Sequence, residues 1–290
     1  MSGGTHSRPA TPSPPLVDIG ANLGNAAFAD DLDAVIARGF AAGVRGIVVT
    51  GSSVASSEAA LAIVRGRPGR MWSTAGIHPH HARDCDDAAI ASLRACLADP
   101  QCVAAGECGL DYDRDFSPRP DQRRAFERQL ALAIELGLPL FLHERAAHED
   151  FFAMLREHRG ALGPVVVHCF TGTGDALDNY LSIDAHIGIT GWICDERRGH
   201  HLRELVPRIP ADRLMIETDA PYLMPRDLRP MPRHRRNEPG LLPHVARAVA
   251  TAGGKPLEQL AAETTRTAEA FFAIRVAASS PAQANQAAPS

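Results

Sequence analysis

Between residues 16 and 273, short apolar runs and longer amphipathic stretches alternate without interruption. Strand-like runs fall at 16–19, 44–50, 70–77, 102–107, 138–143, 164–168, 184–190 and 212–217. Helical patterns fill the gaps at about 28–42, 54–66, 86–98, 119–137, 146–159, 173–183, 198–207 and 240–252, with a last helix near 256–273. Eight β-then-α units in series, with no shift of composition mid-chain, predict a single α/β domain over 16–275: a closed (β/α)8 TIM barrel. An open doubly wound sheet fits that series less well. The helical period is clearest from Ala125 to Leu136, where Phe126, Leu130, Ala133 and Leu136 share one face. Residues 1–15 are polar and Pro-rich with no apolar stretch, which predicts a disordered leader and not a signal peptide. Residues 276–290, rich in Ala, Ser, Pro and Gln, predict a disordered tail.

Four of the apolar runs end on a side chain able to hold a metal. Cys102-Val-Ala-Ala-Gly delivers Glu107, and Gly109 is then read as turning the backbone away. Leu138–Leu142 delivers His143, Pro164–Val167 delivers His168, and Arg213–Ile216 delivers Glu217 and Asp219. In this barrel the reactive groups come from the C-terminal strand ends and the loops behind them. That rule selects Asp18, Asn22, His78, His80, Glu107, Asp111, His143, Arg145, His168, Glu217 and Asp219. Singly, each has a bland reading: a buried histidine satisfied by its neighbours, or a carboxylate capping the next helix. Together, two imidazoles and two carboxylates from four strands predict a divalent-metal site. Such a site suits hydrolysis of a phosphodiester, an ester or an amide, with Asp219 orienting water or taking its proton. His80 and His81 read as solvent-facing, and His200, His201 and His244 as surface or packing residues.

A second feature is the run of arginines at 226, 229, 233, 235 and 236, between Pro225 and Pro239. Beside a metal site, forked guanidinium hydrogen bonds could hold phosphates; pairing with Asp227 and Glu238 is the alternative. Arg197 and Arg198 could extend the same rim. The net charge of −4 excludes a globally basic coat, and no apolar run approaches the roughly 20 residues of a membrane span. Six cysteines without a C-x-x-C pair fit a reduced, cytoplasmic protein.

Five ordered motifs carry a resemblance to the TatD family of metal-dependent deoxyribonucleases, spanning about residues 16–273. They are Ser73-Thr-Ala-Gly-Ile-His-Pro-His80, Gly106-Glu-Cys-Gly-Leu-Asp111, His168-Cys-Phe-Thr-Gly-Thr173, Ile187-Gly-Ile-Thr-Gly-Trp192 and Glu217-Thr-Asp-Ala-Pro-Tyr-Leu223. Arg235-Arg-Asn-Glu-Pro239 fits as well, and the segments at 18–23 and 192–199 resemble the bacterial TatD branch. The resemblance implies a TIM-barrel hydrolase: a Mg2+-dependent 3′→5′ exonuclease on single-stranded DNA and RNA, with a part in DNA repair. It further implies Glu107, His143, His168 and Asp219 as metal ligands, with Glu107 and Asp219 catalytic. His78, Arg145, Arg235 and Arg236 are then the expected substrate-binding residues, in a cytoplasmic monomer with no membrane partner.

One departure concerns the ion. Most of the family begins with a His-x-His pair on the first strand, and here those positions are Gly20 and Asn22. A single exchangeable Mg2+ or Mn2+ is therefore expected over a tightly held two-zinc centre, although Zn2+ also suits two histidines. Glu144, where a small residue is expected, adds negative charge near the pocket. Two rival readings stay open. One is a deacylase of D-aminoacyl-tRNA on the same barrel; the other is a non-catalytic binding module, favoured only by the missing histidine pair.

Overall fold

The computed structural model describes residues 15–276 apart from residue 234. Both terminal segments read as disordered lie outside the described residues, except Pro15 and Val276. Eight parallel strands form one sheet in sequence order: β1 (Leu16–Ala21), β2 (Val44–Val49), β3 (Met71–Ala75), β4 (Cys102–Asp111), β5 (Leu140–Arg145), β6 (Val165–Val167), β7 (His186–Ile189) and β8 (Leu214–Ile216). Helices α1 (Leu32–Ala41), α2 (Val54–Arg65), α3 (Asp87–Leu97), α4 (Arg119–Leu136), α5 (His148–His158), α6 (Gly174–Ser182), α7 (His200–Leu205) and α8 (Leu242–Ala252) each follow their strand; α9 (Leu257–Phe272) comes last. Short polar side chains start several of them, as Ser53, Asp86 and Thr173 do by accepting a first-turn N–H.

The ring is nearly closed, and it closes at the end that matters. Ala21 bridges Ala220 in parallel, Asp219 N donates to Gly20 O at 2.8 Å, and Asn22 N donates to Ala220 O at 2.7 Å. These bonds lie just beyond β8, so they fix Asn22 and Asp219 across the seam. The barrel interior is an apolar cluster from seven strands: Val17 and Ile19, Val48, Trp72, Val103, Phe141, Val166 and Met215. Phe271 and Phe272 of α9 join it, so the last helix belongs to the barrel's inner core. A larger cluster fills the layer between strands and helices, which is why the strand runs are apolar on both faces. No helix among the described residues is long and apolar enough to cross a membrane, and all six cysteines are unpaired.

The structure corrects the reading of Gly109. Gly109 does not turn the chain away; β4 continues through it to Asp111, pairing Gly109 with His143 and Asp111 with Arg145. Its φ of +145° and the backbone of His143, against which a Cβ would collide, explain the glycine as a close approach. The extension carries Asp111 into the mouth of the barrel, two turns of pleat beyond Glu107.

Candidate active site

Glu107 is the hub of the mouth. Its Oε1 lies 2.8 Å from His168 Nε2, 3.1 Å from His143 Nδ1 and 3.4 Å from His78 Nε2. Burial acts to raise its pKa, but the neighbouring imidazoles outweigh it and hold the carboxyl well below its ordinary range. Two of those imidazoles have a carboxylate on the far nitrogen. His168 Nδ1 faces Glu217 Oε2 at 3.4 Å, and His143 Nε2 faces Asp111 Oδ2 at 3.5 Å. Burial works to lower both histidines, and the carboxylates prevail and raise them. A carboxylate behind each ring fixes the ligating nitrogen, the arrangement that metal-binding histidines use. These two carboxylate contacts are ion pairs: His168 Nδ1, His143 Nε2 and Glu217 Oε2 are buried without a well-formed hydrogen bond.

His78 differs. It is close enough to group with Glu107 and His143, all three donor atoms lying within 4.8 Å of one another. Yet its Nδ1 accepts the His80 N–H at 3.1 Å, and burial pulls its pKa down to about 4. A neutral imidazole whose Nδ1 accepts must carry its proton on Nε2, so His78 offers a donor to the cavity and not a lone pair. The donors that fit a cation are therefore Glu107, His143 Nδ1 and His168 Nε2.

Asp219 enters from the seam. Its backbone is left-handed at φ 55°, an uncommon state for a side-chain-bearing residue. Asp18, buried behind it, holds that turn by accepting from Thr218 N at 2.9 Å and Thr218 Oγ1 at 2.6 Å. Asp18 is thus a brace and not a member of the cavity. Asn22 Nδ2 donates to Asp219 Oδ1 at 2.9 Å, and burial pushes the Asp219 carboxyl up to about 7.

Glu217 explains the missing first-strand histidines. A Cβ on Gly20 would sit inside contact distance of Glu217 Oε2 and 2.9 Å from Phe141 Cζ; one on Gly188 would lie 2.6 Å from Glu217 Oε1. The carboxylate fills the space between β1 and β7, where Cys169 N donates to it at 2.6 Å. An imidazole at position 20 has no room. Position 22 serves Asp219 instead.

Asn22, His78, Glu107, His143, His168 and Asp219 line a cavity of roughly 550 Å³, which also carries Arg114, Phe116, Arg145, Trp192 and Tyr222. Phe116 and Tyr222 are more than half exposed although apolar. Arg145 lines the cavity while its Nε donates to Asp113 Oδ2 at 3.0 Å. Arg235 lines a neighbouring cavity, and Arg236 reaches neither. Its guanidinium is held by Asp31, with Nη2 donating to Oδ2 at 2.7 Å, so its expected place on the substrate path is not what the structure displays. His80, read as solvent-facing, instead lies 2.8 Å from Asp111 Oδ2 and edge-on to His78. Glu144 spends its charge locally: Oε1 accepts from Ala147 N at 2.8 Å and Oε2 from Tyr180 Oη at 3.1 Å.

Sequence reasoning passed over two buried amides of α4. Gln129 clasps the backbone of Ile77, receiving its N–H at 2.7 Å and donating to its C=O at 3.0 Å, and so sets His78. Gln122 does the same for Asp111, at 2.8 and 3.0 Å. Both stand on the helix face of Phe126, Leu130 and Ala133, and a polar amide on an apolar stripe was the signal available. Phe116, a lone apolar residue in a charged loop, was missed as well.

The chain as a whole is similar to known proteins. The family described as TatD related DNase matches residues 17–273. The chain is 52% identical over 257 residues to a 3'-5' ssDNA/RNA exonuclease TatD of Erwinia tasmaniensis, covering 89% of this chain and 99% of that one. To the protein of the same description in Salmonella typhimurium it is 47% identical over 259 residues, covering 89% and 99%. Among solved structures, a hydrolase TatD family protein from Entamoeba histolytica superposes with a TM-score of 0.80 at 24% identity, over 90% and 99% of the two chains. A TatD homologue from Escherichia coli gives 0.79 at 24%, over 89% and 98%; both likenesses speak to the barrel. The match over nearly the whole barrel, and the relatives near half identity, place this chain in the TatD related DNase family.

Proposed function

We propose that this chain is a metal-dependent exonuclease that removes nucleotides from the 3′ end of single-stranded DNA or RNA. The observation that carries the reading is the pair of imidazole nitrogens on Glu107 Oε1, each ring backed by its own carboxylate. The polarity and the substrate rest on the description its close relatives bear. Glu107, His143 and His168, with Asp219 beside them, would hold one divalent cation, and Mg2+ or Mn2+ suits the two carboxylates. Bound there, the cation would supply Lewis acidity at a phosphoryl oxygen and make water a better nucleophile at neutral pH.

The chain's own groups do the rest. Asp219, held by Asn22 and the Asp18–Thr218 brace, would take the proton of the attacking water. His78 lines the cavity with its Nε2 3.4 Å from Glu107, and its N–H would donate to a non-bridging phosphate oxygen of a bound strand. Phe116 and Tyr222 offer exposed rings at the rim for the terminal base, which suits a sequence-tolerant enzyme. Six unpaired cysteines support a reducing, cytoplasmic setting, and we read the enzyme as a monomer.

The test is an oligonucleotide labelled at its 5′ end, incubated with protein and Mg2+ or Mn2+. A ladder shortening stepwise from the 3′ end, abolished by EDTA, is the expected result. Cuts scattered along the strand, or no cleavage with Mg2+, Mn2+ or Zn2+, would overturn the reading.

A further inference from the structure

A second cavity, of roughly 600 Å³, adjoins the first and shares Trp192 and Leu223 with it as a common wall. Resting on the exonuclease reading and extending it, we propose that this second cavity binds the nucleotides on the 5′ side of the scissile bond. It would be a strand-holding site that reads backbone and base faces without sequence preference.

Charge is the first argument. Arg197, Arg198, Arg226 and Arg235 line the cavity against only Asp195 and Glu196, a surplus of two positive charges on a chain of net charge −4. The other side of the catalytic rim is balanced: there Arg145 is taken by Asp113 at 3.0 Å, and Asp111 and Glu144 stand nearby. An anionic strand leaving the catalytic pocket is therefore drawn over Trp192.

The second argument is the floor. Trp192, Leu223, Met224 and Met231 give the basic cavity an apolar base. The large hydrophobic side chains exposed among the described residues are Phe116, Tyr222 and Met231, and each lines one of these two cavities. The Arg198 guanidinium carbon lies 4.8 Å from the Trp192 ring, making a cation and an aromatic face into one platform at the junction. Phosphates find guanidinium groups and bases find flat apolar surface, the combination that single-strand sites use.

The third is rigidity. Buried Asp195 accepts a hydrogen bond from Arg198 Nε at 3.2 Å and forms an ion pair with Arg226 Nε at 3.3 Å, aiming two arginines from separate loops. Asp227 in the same loop is pinned to His244 of α8 at 2.7 Å. Asn237 Nδ2 donates to Thr218 O at 2.8 Å and Tyr222 O at 2.7 Å, tying the loop to the strand end that carries Asp219. A cavity braced in this way meets the strand without ordering itself first.

The experiment compares thymidylate strands of two and ten nucleotides with wild type and with the Arg197→Ala/Arg235→Ala double variant, whose two positions are exposed. For the ten-nucleotide strand the variant should raise KM about tenfold at unchanged kcat. The slope of log(kcat/KM) on log salt should shrink by about 1.4, the share of two lost phosphate contacts on a single strand. For the two-nucleotide strand KM should stay within twofold. Equal effects on both lengths, or none on either, would overturn the proposal. Anisotropy of a fluorescent ten-nucleotide strand in EDTA reads the cavity without cleavage: a tenfold weaker Kd supports the site, and an unchanged Kd overturns it. Absence of cleavage with intact wild-type binding would sink the exonuclease reading alone.

Discussion

Replacing Glu107 by glutamine is expected to lower cleavage on the order of 10³-fold, mainly in kcat, with the circular-dichroism spectrum unchanged. The carboxylate lies within 3.4 Å of three imidazoles, and it contributes a formal negative charge that the amide lacks. The amide keeps the volume and can still hydrogen-bond the surrounding imidazoles, so the buried network loses charge and keeps its packing. The large effect is therefore chemical and not structural. Steady-state kinetics beside a thermal melt separates the two, since a melt lowered by many degrees would assign Glu107 to folding.

The second large effect is expected at Gly20. In Gly20→Ala the new methyl must displace Glu217 Oε2, because Phe141 closes the other side at 2.9 Å. Overpacking of that kind costs about 1–3 kcal/mol. Moving Glu217 off His168 Nδ1 removes the carboxylate that orients a metal-binding ring, which lowers metal affinity or rate by roughly 10–100-fold. A double-mutant cycle makes the claim specific. Adding Glu217→Ala to Gly20→Ala should restore most of the melting temperature, since room is regained, and none of the activity. Recovery of neither, or of both, would contradict the account of Glu217 as occupant of the first-strand position.

Much of this was legible in the chain. Strands buried on both faces write themselves as continuous apolar runs, so the residues that end them, Glu107, His143 and His168, stand out as polar exceptions. What was not legible depends on distance along the chain. Arg236 reads as one of a local arginine cluster, yet its partner Asp31 lies 205 residues away. Glycines have the same appearance whether they turn a chain or admit a neighbour, so Gly109 was read as a turn and Gly20 as a lost histidine. His80 follows a loop proline and looks solvated; only the extension of β4 to Asp111 brings a carboxylate to it. Gln122 and Gln129 were visible as amides on an apolar helix face, and their targets were not.

The most direct test of the central claim is Mn2+ binding, followed by electron paramagnetic resonance of the free ion, in wild type and in Glu107→Gln. Wild type should bind one Mn2+ per chain, and the variant should bind it at least tenfold more weakly in step with its lost activity. Equal Mn2+ affinity in the two proteins would contradict a metal centre built on Glu107.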